Sequence, residues 1–179
     1  MSDELPCPWR EFLSEVDGQL AEVVVLHCHG GFVAALHYGL PRATADLDYL
    51  EIAPRSAQGL IEKLGGRASL LTKKYGVYLR HFPLTSAPES YEERLTELFP
   101  GQFEYLRLFA LDPYDLALTK LSRNTAVDRE DVEYLARTIP LDPQVLRQRY
   151  RDELRPIMLG DQQVHDQILE MWIAAYFPS

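Results

Sequence analysis

The sequence predicts an α/β (α+β) chain: a mixed sheet flanked by helices over residues 1–110, then a helical bundle over 111–179. Three observations predict it. Two strand-like stretches, Glu22–His27 and Asp46–Ile52, bracket a glycine pair and a short helical run. From Asp112 onward the texture turns helical, and the helix-start pair Asp-Pro occurs at Asp112-Pro113 and again at Asp142-Pro143. A content of 46% hydrophobic and 25% charged residues is ordinary for a globular chain. The 179 residues suffice for one sizeable domain with a helical appendage, so the two halves are expected to pack as a single compact unit.

The elements follow in order. Trp9, Phe12, Leu13, Val16 and Leu20 have helical spacing, which predicts a first helix over Pro8–Leu20. The valines of Glu22–His27 predict a buried strand, broken by Gly30-Gly31. Phe32–Tyr38 reads as a short helix closed by Gly39, and Leu40–Thr44 as a loop. Asp46–Ile52 is the second strand. Pro54 opens a helix to about Leu64, stopped by Gly65-Gly66. Leu70-Leu71 reads as a short strand and Gly76–Phe82 as the return limb of a hairpin. Glu92–Leu98 is helical or irregular, and Phe103–Phe109 is the last strand. Helices are then expected from Asp112 to about Arg123, over Asp128–Arg137, and from Asp142 to about Glu153. A last one, over Gly160–Tyr176, would bury Val164, Ile168, Met171, Trp172 and Ala175.

Bulk properties narrow the function. A net charge of −9 argues against a broad basic face for nucleic acid, though not against a local groove. Cys7 and Cys28 form neither a metal-ligand spacing nor a disulfide framework, which fits a reducing cytosol. Met1–Pro8 lacks the features of a signal peptide. No apolar run approaches the roughly 20 residues of a membrane span. A cytoplasmic protein without a membrane partner is expected.

The chemistry concentrates in two acids. Asp46 and Asp48 stand at i and i+2 of one strand, so both carboxylates leave the sheet on the same side. Two carboxylates side by side repel unless something positive joins them, and a magnesium ion is the usual answer. Gly30-Gly31 lets backbone approach a phosphate with no Cβ in the way. Alone, a Gly-Gly or an Asp-x-Asp says little. Strand, Gly-Gly, short helix, Arg42-x-Thr44 and Asp46-Leu47-Asp48 in that order say much more, because each part has a place in one mechanism.

With these motifs the chain resembles the nucleotidyltransferase superfamily that includes DNA polymerase beta and the kanamycin and minimal nucleotidyltransferases. His29–Gly39 is similar to its first motif and Arg42–Leu50 to its second. The Arg-x-Thr-x-Asp-hydrophobic-Asp form is especially similar to the AbiEii-type toxin branch and its uncharacterised bacterial relatives. The resemblance implies that Gly30, Gly31, Arg42 and Thr44 bind the nucleotide and that Asp46 and Asp48 hold Mg2+ or Mn2+. Many members carry a third carboxylate on a later strand. Here that strand reads Gly76–Phe82 with no acid, and Glu104 is the substitute considered.

A second signature is similar to the same branch: Asp115-Leu116-x-x-x-Lys120-Leu121, then Asp131 on the next helix. By resemblance, Lys120 and Arg123 would reach the phosphates, and Asp131 would orient Lys120 or assist the acceptor. The bland alternative is a solvated Lys120, with Asp128 and Asp131 as the N-cap and N3 acids of a helix. The implied activity is transfer of a nucleoside monophosphate from a nucleoside triphosphate to a hydroxyl on a tRNA end, a protein or a small molecule. A toxin role with a cognate antitoxin as partner follows from the same resemblance. The competing reading is a nucleotide-binding or partner-binding module of this fold without turnover. His27, Cys28 and His29 read as strand packing beside the turn. The clusters Arg67, Lys73, Lys74, Arg80 and Arg147, Arg151, Arg155 read as solvated surface or as guides for a phosphate backbone.

Overall fold

The computed structural model describes residues 5–82 and 86–177; the first four residues of the Met1–Pro8 stretch lie outside these. The chain is mixed α/β and divides into two units, Met1–Pro83 with Leu95–Ala110, and Leu84–Arg94 with Leu111–Ser179.

The first unit contains α1 (Trp9–Asp17), β1 (Val24–His29), α2 (Gly30–Leu36), β2 (Asp46–Ala53), α3 (Gln58–Gly65), α4 (Leu70–Tyr75), β3 (Tyr78–His81), β4 (Thr96–Leu98) and β5 (Leu106–Ala110). Among the described residues these strands form one five-stranded sheet in the order β3-β2-β1-β5-β4. β2 runs antiparallel to β1, while β5 is parallel to β1 and β3 parallel to β2. The amphipathic spacing of α1 buries Trp9, Phe12, Leu13 and Val16. Trp9 meets Phe32 of α2 edge to face at 4.8 Å, so the helix after the glycine turn is pinned by the same aromatic cluster. At the end of α1 the Asp17 carboxylate accepts from the backbone N–H groups of Glu104, Tyr105 and Leu106, which fixes the entry to β5.

Three expectations are corrected here. Leu70-Leu71 begins a helix, not a strand. Ser69 caps it by accepting from Thr72 N–H at 3.0 Å, and Gly76 ends it in the left-handed region. β3 is therefore no hairpin limb: it returns parallel to β2 after the crossover through α3 and α4. Thr96–Leu98, read as helical or irregular, is an edge strand on β5. The β1–β2 register slips between His27 and Cys28, so that β2 carries one extra residue, Leu50. Such a bulge re-aims the strand, and here it falls next to the acidic pair.

The second unit holds α5 (Pro113–Leu118), α6 (Ala126–Thr138), α7 (Pro143–Arg149) and α8 (Gln162–Tyr176). Asp112 and Asp142 cap α5 and α7 as their Asp-Pro pairs predict. α5 stops at Leu118, short of Arg123. α6 is capped by Thr125 and not by Asp128, which sits at N3 and completes a capping box. After α7 the chain makes a π-helical turn over Tyr150–Leu154, closed by Arg155 N–H to Tyr150 C=O at 2.7 Å. α8 turns a different face inward from the one its sequence suggested. His165, Leu169, Trp172 and Ile173 are buried, whereas Val164 and Met171 are each about half exposed. Of the expected stripe, Trp172 is the residue in the core.

Candidate active site

Asp46 and Asp48 flank the fully buried Leu47 on β2, so their side chains leave the sheet together. One guanidinium touches both. Arg80 lies on β3 directly opposite Asp48 in the parallel register. Its Nε donates to Asp48 Oδ1 at 2.6 Å and its Nη2 to Asp48 Oδ2 at 2.9 Å. The same Nη2 is 2.9 Å from Asp46 Oδ2. The fourth carboxylate oxygen, Asp46 Oδ1, accepts from the Thr44 hydroxyl at 3.1 Å. The Asp48 side chain is 10% exposed, that of Asp46 29% and that of Arg80 40%. Hydrogen bonds to Asp48 push the Arg80 pKa further above its already high ordinary value, so the guanidinium stays charged. The positive group that the acidic pair requires is thus supplied by the chain itself.

The glycine turn abuts this pair. His29, the last residue of β1, is in register with Asp48. Gly30 follows with φ +71°, and a Cβ there would stand 3.0 Å from Asp48 Oδ2. A Cβ on Gly31 would lie 3.4 Å from Thr44 Oγ1 and 3.7 Å from Arg42 Nη2. Gly30, Gly31, Arg42, Thr44, Asp46 and Asp48 are therefore neighbours, as the two sheet motifs imply. The Phe82 ring, 5.2 Å from the Arg80 guanidinium, closes one side.

The sequence places Arg80 in a basic cluster, and its bridging of the two acids shows only in the structure. The signal was present: it occupies the strand on which an acid was sought. Glu104 cannot fill that gap. It is exposed and precedes β5, whose first residue pairs with Val24, at the start of β1. The acidic pair lies at the other end of β1, where Asp48 pairs with His29, about 17 Å away at roughly 3.3 Å per strand residue. Among the described residues no group of three His, Cys, Asp or Glu side chains is placed to hold a metal. Cys28 is buried and its Sγ contacts Leu26 C=O, as strand packing predicts. Burial pushes its thiol well above the usual range, so it is no nucleophile.

The helical unit holds the second signature as an ion cluster. Lys120 Nζ is 2.7 Å from Asp131 Oδ2 and 3.9 Å from Asp128 Oδ1, with the lysine side chain 3% exposed. A solvated lysine is thereby excluded. Arg123 Nη2 donates to Asp128 Oδ1 at 2.6 Å. Burial raises the Asp128 pKa, but the Thr125 hydroxyl and Arg123 outweigh it and hold the carboxyl below its ordinary value. Asp115, the acid of the same signature, is fully buried and gripped by Arg94 and Arg149. Its desolvation outweighs both arginines and raises its pKa. Asp115 therefore builds the fold of this unit.

Arg147, Arg151 and Arg155 line a cleft of about 560 Å³ in the helical unit, together with Tyr150, Asp166 and Glu170. Arg147 forks to Glu170 and Arg155 to Asp166, which leaves the lining close to charge balance. That cleft does not contain the acidic pair, and its chemistry is that of paired surface charges.

The acidic pair has the donor chemistry of a hard cation. Magnesium is bound by one or two carboxylates and completes its shell with water and phosphate oxygens, so a third protein acid is not required. The fit holds provided Arg80 yields oxygens it now engages. The family described as "Nucleotidyltransferase of unknown function (DUF6036)" matches residues 10–176, and the chain belongs to it. No curated protein and no solved structure matches the chain.

Proposed function

We propose, with membership of a nucleotidyltransferase family as the premise, that this protein transfers a nucleoside monophosphate from a nucleoside triphosphate to a hydroxyl, with magnesium held by Asp46 and Asp48. The observation that carries the reading is the juxtaposition of a side-chain-free turn with a same-side carboxylate pair: Gly30 sits so close that a Cβ would stand 3.0 Å from Asp48 Oδ2. When bound, the metal supplies charge neutralisation on the phosphate oxygens and polarisation of the acceptor hydroxyl. The rest falls to the chain. Gly30 and Gly31 offer backbone to the triphosphate, with Arg42 beside Gly31 to bind its negative charge. Thr44 fixes the Asp46 rotamer through Oδ1, which keeps the second carboxylate aimed with the first.

By family resemblance Lys120 and Arg123 are assigned to the phosphates, and Asp131 to orienting Lys120 or assisting the acceptor. Lys120 is already held by Asp131, so its ammonium is oriented and not mobile. Resemblance to AbiEii-type toxins favours a tRNA end or a protein as acceptor and an antitoxin as cognate partner. A second reading is favoured by Arg80: a module that binds nucleotide and has lost turnover. Incubation with each labelled triphosphate, magnesium and total tRNA or cell lysate separates the two. The enzyme gives transfer that vanishes in Asp46→Ala and Asp48→Ala. Magnesium-dependent nucleotide binding with no transfer to any acceptor favours the module.

A further inference from the structure

We propose that Arg80 is a built-in competitor of the divalent cation, a tethered guanidinium that must leave the Asp46–Asp48 pair before the metal can bridge it. The inference rests on the metal reading above and concerns how that site is regulated. Four oxygens are available on the two carboxylates. Arg80 engages three of them, Asp48 Oδ1 and Oδ2 and Asp46 Oδ2, and Thr44 engages the fourth. A cation that bridges the two acids therefore lands on an oxygen that already faces an N–H. It also arrives beside a fixed positive charge, which it repels.

The exchange is nonetheless open. The pair carries two negative charges and Arg80 one positive charge, so a net attraction for a cation remains. Arg80 is attached to the neighbouring strand, which gives it a high effective concentration, whereas a divalent ion brings twice the charge from solution. The side chain is 40% exposed, so a displaced guanidinium regains water at small cost. The guanidinium already lies 5.2 Å from the Phe82 ring, a contact it can keep when it leaves the carboxylates. Position explains why this device exists here: Arg80 is the register partner of Asp48 on the adjacent parallel strand, so an acid at that place would recruit metal, and an arginine there opposes it. Arg80 thus sets the cation concentration at which the site loads.

Mn2+ binding to the full chain, followed by the electron paramagnetic resonance of the free ion, tests this without reliance on turnover. The variants are Arg80→Gln, Arg80→Lys and the double Asp46→Asn/Asp48→Asn, each checked for folding by circular dichroism melting. Arg80→Gln is expected to tighten the Mn2+ Kd at least tenfold. Arg80→Lys, which keeps the charge but loses the fork, is expected to fall between it and the wild type. In chelator, Arg80→Gln should melt below the wild type and recover when Mn2+ is added. Wild-type binding that is equal to or tighter than that of both Arg80 variants overturns the competition and leaves the metal reading intact. Failure of wild type and variants alike to bind Mn2+ more than the double aspartate variant does overturns both.

Discussion

Arg80 changes the meaning of Asp46 and Asp48. A carboxylate pair left to repel would gain stability when one charge is removed. With a guanidinium forked to Asp48 at 2.6 and 2.9 Å the sign reverses. Asp48→Asn is expected to cost about 1–2 kcal/mol, the modest end of a charge-assisted pair because Arg80 is partly in water. Denaturant titration in chelator measures it, and a gain in stability would contradict the pairing. Gly30 and Gly31 differ in kind. Gly30 has φ +71° and no room toward Asp48, so Gly30→Ala is expected to lose about 1–2 kcal/mol and to displace the carboxylate. Gly31 has ordinary backbone and a looser contact at 3.4 Å. Gly31→Ala should therefore change stability by under about 1 kcal/mol while weakening nucleotide binding, which thermal shift with and without triphosphate resolves. The proximity of the glycines and aspartates was legible because their spacing along one strand and one turn is a local property. Arg80 was not: its role depends on β3 lying parallel beside β2, a pairing across 32 residues that no local pattern encodes.

Elements were readable where their ends carry chemistry. The Asp-Pro starts of α5 and α7 and the valine pattern of β1 announce themselves. α4 was missed because its six residues are too few for periodicity to speak, although Ser69 and Gly76 bracket it. β4 is three residues long and is a strand only because β5 pairs with it. In α8 the buried face includes His165, a residue that hydrophobic patterning leaves out. The α5–α6 region makes two predictions of its own. Lys120, Asp131 and Asp128 form a buried cluster, and removing one partner from such a cluster leaves an uncompensated charge. Lys120→Met is expected to cost about 3–5 kcal/mol, and the double Lys120→Met/Asp131→Leu less than Lys120→Met alone. Equal losses in the two would show that the pair is not the source. The Asp128 carboxyl is held below its ordinary value in the fold. Its stabilisation is therefore complete above the unfolded pKa of about 3.9 and is lost as pH falls through the lower folded value. The melting difference between wild type and Asp128→Asn should be constant from neutral pH to about 5 and shrink below about 4.

For the whole molecule, the family match over residues 10–176 spans both units, so the helical unit belongs to the family and is not an unrelated appendage. A net charge of −9 sets a limit on the whole molecule: were RNA the acceptor, local contacts would have to take it. No helix among the described residues is long and apolar enough to cross a membrane. The identity of the acceptor was never legible, because an acceptor is recognised by surface shape, whereas the proposed metal and phosphate chemistry reduces to a few residue types at fixed spacing. The central claim is nucleotidyl transfer through the Asp46–Asp48 pair, and parallel reactions with α-labelled and γ-labelled triphosphate test it most directly. The account predicts acceptor-bound label from the α position, none from the γ position, a requirement for magnesium, and loss of signal in Asp46→Ala/Asp48→Ala. Acceptor-bound label from the γ position, or α-label that persists in the double variant, would contradict it.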